Sequence, residues 1–517
     1  MELRGIWITN VDSDVLTSKR KIAEAMDFLA DSGFNIVFPV VWNKAYTLYP
    51  SDVMQELTGD RMDPLYGQRD PLQELIVEAH RRGMEVMPWF EYGFAAGNRF
   101  QTNYVTGGRI LQARPEWASA DAEGNLVEKN HFEWLNAFNP EVQGFLIAMM
   151  MEVANRYDVD GVQGDDRLPG IPSTAGYDAH TVGLYRAQFG EDPPADHLEP
   201  QWLQFRADLL TEFLAYWRQS LREVDPNLML SSSPSIHDWA LRNYLQDSPT
   251  WMRRGLVDII HPQAYRRDFE GYRRLIDEMV TTFYPRESLW KLSPGILIKV
   301  GQYRISAELM LEKIAYNRQV GVNGEVFFFY TGLRENENEL GMALAEGPYA
   351  QRPALLPHRH GRVWRPGAIV AGLTDATMIG PWKMVEREGE TFAALRGGQD
   401  GEITWPVSIP HAATYNVYVK LPWNSMEERS SLVTMAMQPP AGKAIRVTAE
   451  VPGYDEGGWI HVTRLELNDA TAEDLAQPWE FTVYGMTRNE AKMTFASEVM
   501  LLLDRKASPE VDWAAAQ

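Results

Sequence analysis

The sequence predicts an α/β fold, a (β/α)8 TIM barrel, followed by a C-terminal all-β sandwich domain. Apolar strand patterns alternate with amphipathic helix patterns about eight times in roughly the first 330 residues, which is the count and length of such a barrel. Short alternating segments separated by turn residues then follow, as is typical of an antiparallel sandwich. The length of 517 residues is enough for both domains.

Helix start and stop signals separate the elements of the predicted barrel. Ser18 is placed to cap the first helix and Gly33 to end it, while Pro71 and Gly83 bound the second helix. The predicted strands are 2–10, 34–42, 84–90, 161–164, 228–232, 257–261, 289–293 and 324–330, and the predicted helices are 19–30, 71–82, 141–157, 202–224, 236–253, 269–283 and 306–320.

Long insertions follow the second, third and fourth strands, as barrels tolerate. A doubly wound open sheet is the alternative architecture. No Gly-x-Gly-x-x-Gly follows the first strand, so nothing supports a dinucleotide-binding role, and we expect no cofactor.

The pattern breaks into Pro, Gly, His and Arg between about residues 335 and 366. We therefore predict a barrel at 1–335, a connecting segment at 336–365 and a sandwich at 366–517 that packs on the barrel and extends a sugar-binding surface. Trp405, Trp423 and Trp459 are the candidates for an exposed aromatic platform, and we expect two of the three to lie in the core instead.

Composition narrows the class of partner. The net charge of -22 argues against nucleic acid and against an anionic membrane surface, because phosphate groups would be repelled. The sequence has no apolar run of the roughly 20 residues that a membrane span needs and no signal peptide, so it predicts a cytoplasmic protein, or an exported one whose signal has been removed. The absence of Cys excludes disulfides and thiolate chemistry but fits either compartment. Oligomeric state stays open.

The stretch from Asp158 to Arg167 carries the main chemical signal. Its apolar strand ends in two adjacent carboxylates, Asp165 and Asp166, followed by Arg167. In a barrel the C-terminal ends of the strands form the catalytic rim. The structural alternative is that Asp165 caps the following segment or pairs with Arg167. We predict that at least one of the two carboxylates opens into the largest rim pocket.

Other strand ends supply polar and aromatic side chains. Glu91, after the third strand, is the best third carboxylate, with a structural ion pair as its alternative. The rim has no His-rich cluster at metal-ligand spacing and no serine nucleophile elbow, so we expect no metal site. The candidate substrate-binding residues are Asn10, Asp12, Trp42, Asn43, Trp89, Arg167, Gln263, Tyr265, Lys299 and Tyr330. For Trp89 a place in the core is the favoured alternative, for Trp42 core and subsite are equally open, and Lys299 could instead pair with a carboxylate.

Such a rim suits the cleavage of sugars. Glycoside hydrolysis uses two carboxyl groups across the scissile bond. Alternatively, one ionised aspartate polarises the substrate's own acetamido group, while its charge helps to keep the neighbouring acid protonated. The residues leave open whether the mechanism is retaining, inverting or substrate-assisted.

Several motifs together resemble the glycosyl hydrolase-like 10 family, which is distinct from the xylanases that share its number. They are Arg4-Gly-Ile-Trp-Ile-Thr, Asp160-Gly-Val-Gln-Gly-Asp-Asp-Arg, His261-Pro-Gln-Ala-Tyr-Arg, Pro294-Gly-Ile and Gly324-Glu-Val-Phe-Phe-Phe-Tyr. The resemblance covers about residues 2 to 335 and adds His261 to the candidate binding residues. It implies a barrel acting on bacterial glycans, and members of the family include enzymes that cleave peptidoglycan strands lacking stem peptides, but it does not imply a substrate for this chain. One departure is that Ser231-Ser-Ser-Pro stands where amylase-like barrels carry a Glu after strand five.

Two functions from different classes follow. The first is a glycoside hydrolase with Asp165, Asp166 and Glu91 at its centre. The second is a non-catalytic carbohydrate-binding protein on a degenerate barrel, favoured if Arg pairs lock both aspartates and no other acid faces the pocket. A metal-dependent deacetylase is a distant third, because no His pair accompanies the aspartates.

Overall fold

The computed structural model describes residues 1–101, 104–351, 355–485 and 487–508. The chain groups into two compact units, and this grouping differs from the predicted division at residues 335 and 365. The first unit consists of Met1–Val15, Phe28–Gln73 and Glu85–Gly361, and the second of Leu16–Asp27, Glu74–Met84 and Arg362–Gln517.

Eight parallel strands in the first unit close into a barrel. The strands are β1 (Leu3–Ile8), β2 (Ile36–Pro39), β3 (Glu85–Val86), β4 (Gly161–Gly164), β5 (Met229–Ser232), β6 (Ile259–Ile260), β7 (Gly295–Leu297) and β8 (Gly324–Phe328). Backbone pairing joins β7, β8, β1, β2 and β3 in one run and β4, β5 and β6 in another. Parallel bridges from Trp89 to Gln163 and from Gln263 to Gly295 connect the two runs.

Helices alternate with these strands along the chain. Many begin at the expected caps: the side chain of Asn139 accepts a hydrogen bond from the backbone N–H of Glu141, and Pro140 occupies the first turn. The α-helices of the described residues are α1 (Lys19–Asp31), α2 (Asp52–Thr58), α3 (Pro71–Arg81), α4 (Gly108–Ala113), α5 (Pro140–Arg156), α6 (Ala179–Phe189), α7 (Pro200–Val224), α8 (Trp239–Tyr244), α9 (Ser248–Arg253), α10 (Phe269–Glu278), α11 (Ala307–Gln319) and α12 (Thr331–Glu346).

Two predicted elements were wrong. Residues 289–293, predicted as the seventh strand, belong mostly to a 3-10 turn at Arg286–Lys291, and the strand itself is β7. The spacing of Leu289 and Leu292 fits one helical turn as well as a strand end. The predicted helix 236–253 breaks into α8 and α9, because Leu245 adopts a φ of 58° and Asp247 caps a new helix that contains Pro249 in its first turn. In addition, α12 crosses residue 335, with non-helical backbone at 335–338.

The barrel interior is filled with aromatic rings. The ring of Trp7 lies 6.1 Å from Phe38, 6.2 Å from Trp89 and 6.4 Å from His261. A buried polar chain runs through this packing: Trp7 Nε1 donates to Gln163 Oε1 at 2.6 Å, and Gln163 Nε2 donates to Ser231 Oγ at 2.8 Å. These bonds satisfy the polar atoms that burial would otherwise leave unpaired. They fix the end of β4, from which the aspartates follow.

The C-terminal segment is built from antiparallel sheets. The strands are β9 (Ile369–Ala371), β10 (Thr377–Ile379), β11 (Lys383–Arg387), β12 (Glu390–Arg396), β13 (Gly401–Val407), β14 (Thr414–Leu421), β15 (Leu432–Gln438), β16 (Ile445–Glu450), β17 (Gly458–Glu466), β18 (Trp479–Gly485), β19 (Met493–Ala496) and β20 (Val499–Leu503). The strand orders of the sheets are β9–β20–β14–β17, β10–β13–β18–β15–β16 and β11–β12–β19. That the sheets stack as a two-layer sandwich stays a prediction.

These sheets share one apolar core. Trp405, Val417, Phe481 and Leu501 are buried in it, and alternate residues of β13 face it or the solvent, as the period of two requires. Trp405 and Trp459 are buried, whereas Trp423 is half-buried. The exposed platform of three tryptophans is therefore reduced to Trp423. No helix of the described residues is long and apolar enough to span a membrane.

Candidate functional site

The loops after β3 and β4 meet at the C-terminal rim of the barrel. Phe94 N donates to the backbone oxygen of Arg167 at 3.1 Å. A Cβ on Gly93, whose φ is 50°, would lie 2.1 Å from that same oxygen, so only glycine permits the approach. This contact brings Glu91, on the first loop, beside Asp165, Asp166 and Arg167 on the second.

Arg167 contacts all three carboxylates. Its Nη2 lies 3.4 Å from Glu91 Oε1, 3.4 Å from Asp165 Oδ2 and 3.9 Å from Asp166 Oδ1. Its guanidinium also lies over the ring of Phe132, 5.0 Å from the centroid. Burial lowers the pKa of Arg167, but the charges of Asp166, Asp165 and Glu91 outweigh burial and raise it above its ordinary value. One cation therefore balances part of the negative charge of three acids.

Asp165 is held inside the rim. It is only 1% exposed, its Oδ1 accepts from Arg167 N at 2.9 Å, and its Oδ2 accepts from Trp89 Nε1 at 3.2 Å. Burial raises the pKa of Asp165 well above its ordinary value; Arg167 opposes this shift and the charges of Asp166 and Glu91 add to it. Both oxygens are committed to protein donors, so Asp165 orients Arg167 and Trp89.

Glu91 opens into a rim cavity of about 640 Å³. Its Oε2 accepts from Asn43 Nδ2 at 2.9 Å, and its side chain is 15% exposed. Burial raises the pKa of Glu91 to about 7; the charges of Arg167 and Lys44 lower it, and that of Asp166 raises it. At neutral pH this carboxyl therefore exists in both its protonated and its ionised form.

Asp166 is the more exposed aspartate, with 26% of its side chain accessible. Because one nitrogen of Arg167 lies 3.4 Å from Glu91 Oε1 and 3.9 Å from Asp166 Oδ1, those two oxygens are no farther apart than these distances laid end to end. The bound concerns one oxygen of each carboxylate, so it admits the carboxyl separations of retaining glycosidases, roughly 5 to 5.5 Å, and those of inverting ones, roughly 6.5 to 9.5 Å.

The cavity combines charged and aromatic walls. Phe100 is 77% exposed and its ring lies 4.3 Å from that of His131. Lys44 is exposed and adopts a φ of 54°. Glu91, Asp12 and Asp63 are the acids that line this cavity, and Asp165 and Asp166 are not among its lining residues. That one of the two aspartates opens into the largest rim pocket stays a prediction. The lining residues are Thr9, Val11, Asp12, Asn43, Lys44, Tyr46, Asp63, Glu91, Tyr92, Asn98, Phe100, Gln101, Phe132, Arg167, Val300, Phe328 and Phe329.

Several predicted binding residues lie at or beside this site. Asp12 and Asn43 line the cavity, and Asn43 Nδ2 also donates to Asn10 Oδ1 at 2.9 Å. Tyr265 packs on Phe328 with a ring separation of 5.5 Å. Burial raises the pKa of Tyr265 well above its ordinary value, and the charges of Asp166, Asp165 and Glu91 add to the shift, so this ring lies near the three acids. Gln263 is half-buried, and its Nε2 donates to Ser233 O at 3.1 Å.

Three predicted sugar contacts are buried instead. Trp42 is 0% exposed and donates Nε1 to Gly93 O, so it fixes the turn beside Glu91 and cannot touch a ligand. Trp89 is 3% exposed and serves Asp165. His261 is fully enclosed by the barrel aromatics, where burial lowers its pKa to about 3. Trp89 and His261 pack against Trp7 in the barrel interior, whereas Trp42 packs against Tyr92 and Phe145 outside it.

Two further candidates are committed elsewhere. Lys299 Nζ lies 2.6 Å from Glu335 Oε1 in an ion pair, rather than against the carboxylates of the site. Tyr330 is 7% exposed, and its ring packs edge-on against Phe28 at 6.1 Å. Both side chains stabilise the region of α12. We therefore remove Lys299 and Tyr330 from the candidate binding residues.

Sequence reasoning missed the part of the cavity contributed by the insertion after β3. Phe100 and Phe132 come from this segment, which also forms a small sheet of Ala95–Asn98, Glu128–Lys129 and Phe132–Trp134. A signal was available, since a long insertion after a barrel strand lies at the catalytic rim and aromatic residues in a polar loop are candidates for binding.

The arrangement is suited to proton transfer. A carboxyl whose pKa is near 7 opens into a cavity, and a second, partly exposed carboxyl contacts the same guanidinium nitrogen. A carboxyl with such a pKa can both donate and accept a proton near neutral pH.

Comparison with known proteins gives a consistent result. The sequence profile of the family described as glycosyl hydrolase-like 10 matches residues 2–312. The chain is 25% identical over 397 residues to glycosyl hydrolase YngK of Bacillus subtilis, covering 69% of this chain and 73% of that protein. It is also 25% identical over 307 residues to glycosyl hydrolase DigH of Escherichia coli, covering 51% of this chain and 65% of DigH.

A solved structure supports the fold. The glycoside hydrolase domain of PgaB (BpsB) from Bordetella bronchiseptica aligns with a TM-score of 0.51 at 13% sequence identity, covering 66% of this chain and 99% of that domain. At this identity the similarity bears on the fold alone.

Proposed function

The chain belongs to the glycosyl hydrolase-like 10 family, and on that premise we propose that it is a glycoside hydrolase that cleaves a bacterial glycan, with Glu91 as acid/base and Asp166 as the second carboxylate. The family match confirms the resemblance that the sequence motifs predicted. The substrate class, the reaction and the residue roles are our proposal.

One observation carries the proposal: the Glu91 carboxyl faces the 640 Å³ cavity with a pKa raised to about 7. A general acid works best when its pKa is near the working pH, because it is then protonated and still able to give up its proton. The amide of Asn43 holds Glu91 Oε2, which leaves the Oε1 side toward Arg167. Glu91 thus has a fixed orientation from which to protonate a glycosidic oxygen.

Asp166 supplies the second acid. Asp165 and Arg167 act as positioning residues. Asp165 is buried and contacts Arg167, and Arg167 in turn contacts the carboxylates of Glu91 and Asp166. In a retaining reaction Asp166 attacks the anomeric carbon while Glu91 protonates the leaving oxygen, and Glu91 then accepts a proton from the water that releases the sugar. In the substrate-assisted version Asp166 orients the acetamido group, whose oxygen makes the attack.

We propose an N-acetylhexosamine polymer, such as peptidoglycan strands without stem peptides, as the substrate. The family resemblance supports this class. The cavity fits it, because the exposed ring of Phe100 and the ring of Phe132 offer flat apolar faces, and Asn98 and Gln101 offer amides for hydroxyl and acetamido groups.

The competing function, carbohydrate binding without catalysis, was favoured if Arg pairs locked both aspartates and no other acid faced the pocket. Arg167 does contact both aspartates, but Glu91 faces the cavity. The second condition is therefore not met, and the geometry supports catalysis over binding alone.

The test is release of reducing ends from denuded peptidoglycan strands and from a panel of β-linked oligosaccharides. We expect turnover by the unaltered protein and a loss of at least about 100-fold in Glu91→Gln and in Asp166→Asn, the low end of what one acid–base group contributes. The glutamine amide oxygen can still accept from Asn43, so Glu91→Gln should fold normally.

Asp12→Asn is the matched control, since Asp12 lines the same cavity but does not contact Arg167 in any bond described above. It should alter KM more than kcat. If no substrate of the panel is cleaved while the same glycans bind to the protein, the non-catalytic function replaces this one. Product stereochemistry, followed by NMR, then separates retention from inversion, and deacetylated substrates test the substrate-assisted route.

A further inference from the structure

The C-terminal unit has a second cleft, of about 560 Å³. We name it the basic cleft. Three segments form its walls: the loop that leads into β15, the end of β16 with the residues after it, and the loop between β18 and β19. Its lining residues are Met426, Arg429, Ser430, Ser431, Leu432, Thr434, Glu450, Val451, Pro452, Gly453, Tyr484, Thr487, Arg488, Asn489 and Lys492.

The basic cleft is lined mainly by positive charges, whereas the chain as a whole is negatively charged. Its lining contains Arg429, Arg488 and Lys492 but one acid, Glu450, in a chain with 71 acidic and 49 basic residues. Arg488 is exposed and Lys492 is half-buried. The only hydrogen bond that the Lys492 ammonium makes to a described residue is to the backbone oxygen of Glu427, at 2.6 Å. Among the described residues, no carboxylate forms a direct ion pair with Arg429, Arg488 or Lys492.

Arg429 is the innermost of these cations. It is 4% exposed, and its Nη2 donates to the backbone oxygens of Pro452 and Asp455 at 3.2 and 2.7 Å. Its Nη1 is buried and has no hydrogen-bond partner among the described residues. Burial lowers the pKa of Arg429 below its ordinary value, with the charge of Asp455 opposing it. A buried guanidinium whose N–H group has no hydrogen-bond partner would be stabilised by an anion that accepts that hydrogen bond.

The other walls suit a sugar. The ring of Tyr484 lies beneath the guanidinium of Arg446 at 4.4 Å, which fixes one aromatic surface at the edge of the cleft. Hydroxyl groups of Ser430, Ser431 and Thr434 line it as well. An aromatic face, several hydroxyls and cations that lack a direct ion pair together match a saccharide that carries carboxylates better than they match a neutral one.

We propose that the basic cleft binds an acidic saccharide, through the carboxylates of a glycan chain. This inference rests on the proposed function, which supplies denuded peptidoglycan as the ligand. In such strands every lactyl ether bears a free carboxylate, because the stem peptide has been removed from it. A polyuronate presents the same chemistry from another source. The cleft is a binding site in addition to the cavity at Glu91.

The experiment measures binding of the full chain, carrying Glu91→Gln to prevent turnover, to three probes. They are denuded peptidoglycan strands, the same strands after chemical reduction of their carboxyl groups, and polygalacturonate. We expect the reduced strands to bind at least tenfold more weakly than the untreated strands, and Arg488→Ala with Lys492→Ala to remove most of that difference. Binding of polygalacturonate would assign the site to carboxylated sugars in general, and its absence would assign it to the lactyl carboxylate.

Lys383→Ala with Lys443→Ala is the matched control, since both lysines are exposed residues of the same unit outside the cleft lining. It should leave binding unchanged. Equal affinity for untreated and reduced strands, or unchanged binding in the Arg488/Lys492 variant, would overturn the proposal. Hydrolysis of a neutral oligosaccharide short enough to fill only the Glu91 cavity reports on the proposed function separately, and the cleft variant should leave it intact.

Discussion

Arg167 holds Glu91 at two points: its Nε donates to the Glu91 backbone oxygen at 2.7 Å, and its Nη2 lies 3.4 Å from Glu91 Oε1. The same side chain thus fixes the position of the acid and lowers its pKa against the effect of burial. Position and proton affinity of Glu91 therefore depend on one residue, and they can be separated by mutation.

Arg167→Met removes both effects. Without the cation, the pKa of Glu91 should rise further, so the descending limb of kcat/KM against pH should move to higher pH while kcat falls. Leaving buried acids unpaired should also cost on the order of 3 to 5 kcal/mol of unfolding free energy. Kinetics across pH and denaturant unfolding check the two parts.

Arg167→Lys is the control, because it keeps a charge but loses the two-point hold. Its pH limb should stay near that of the unaltered protein while kcat drops. An unmoved limb in Arg167→Met would mean that Arg167 does not set the proton affinity of the catalytic acid.

A second prediction concerns stability and pH. The pKa of Glu91 is raised in the folded state to about 7 from an ordinary value of 4.5. Between these pH values the folded state holds the proton and the unfolded state releases it, so stability falls as pH rises. The loss is at most about 3 to 4 kcal/mol, from the difference between 4.5 and about 7 at roughly 1.4 kcal/mol per pKa unit. Glu91→Gln should remove this slope and gain stability above pH 7 relative to the unaltered protein.

Chemical denaturation at pH 4.5, 6 and 7.5 measures this difference directly. Glu116→Gln, a change to an exposed glutamate, serves as the control and should leave the slope as it is. If the Glu91→Gln and unaltered curves run parallel, Glu91 does not carry the raised pKa.

Phe100→Ala tests the missed part of the cavity. Phe100 is 77% exposed at the cavity wall, where a sugar ring can stack on it. An aromatic contact of about 0.5 to 1.5 kcal/mol corresponds to roughly a 2- to 12-fold increase in KM. We expect kcat and the melting temperature to be unchanged. Leu65→Ala is the control, since Leu65 is 69% exposed and lies outside the cavity lining, and it should change neither kcat nor KM. A lower kcat in Phe100→Ala would instead mean that the ring lies close to the bond that is cleaved.

The sequence predicted a barrel strand best where its local pattern of apolar residues and flanking glycines agrees with its pairing in the sheet. The bounds of β4 matched the prediction, because its apolar residues are bounded by glycines and by the polar loop that begins at Asp165. The seventh strand was misplaced, because its position depends on pairing with β8, and the spacing of Leu289 and Leu292 fits either a turn or a strand.

The site residues show a similar limit. Trp42 was placed at the rim because it ends the second predicted strand, and His261 was added through the family resemblance. Neither signal reports whether the side chain is buried, and both side chains are. The pair of Lys299 with Glu335 spans 36 residues of sequence and has no local signature. Glu91 and the aspartates were identified because strand ends are fixed by topology alone.

The last prediction concerns Asp166, whose role decides whether the acids of the site are catalytic or structural. The charge of Asp166 raises the pKa of both Glu91 and Asp165, so it repels its neighbours in the folded state. Removing that charge should be neutral or mildly stabilising, since functional sites hold such repulsion at a cost to stability. We therefore expect Asp166→Asn to keep or raise the melting temperature while activity falls by at least about 100-fold. The pH limb of its residual activity should move to lower pH, because Glu91 loses a charge that raises its pKa.

Asp165→Asn is the matched comparison, because it makes the same chemical change one residue earlier. Its oxygens accept from Arg167 N and Trp89 Nε1, and an asparagine amide group would face one of these donors with another donor. This variant should therefore melt at a lower temperature, opposite to Asp166→Asn. If Asp166→Asn instead melts several degrees lower and retains activity, then Asp166 is structural, and the second catalytic carboxylate must be sought among Asp12 and Asp63 on the wall of the Glu91 cavity.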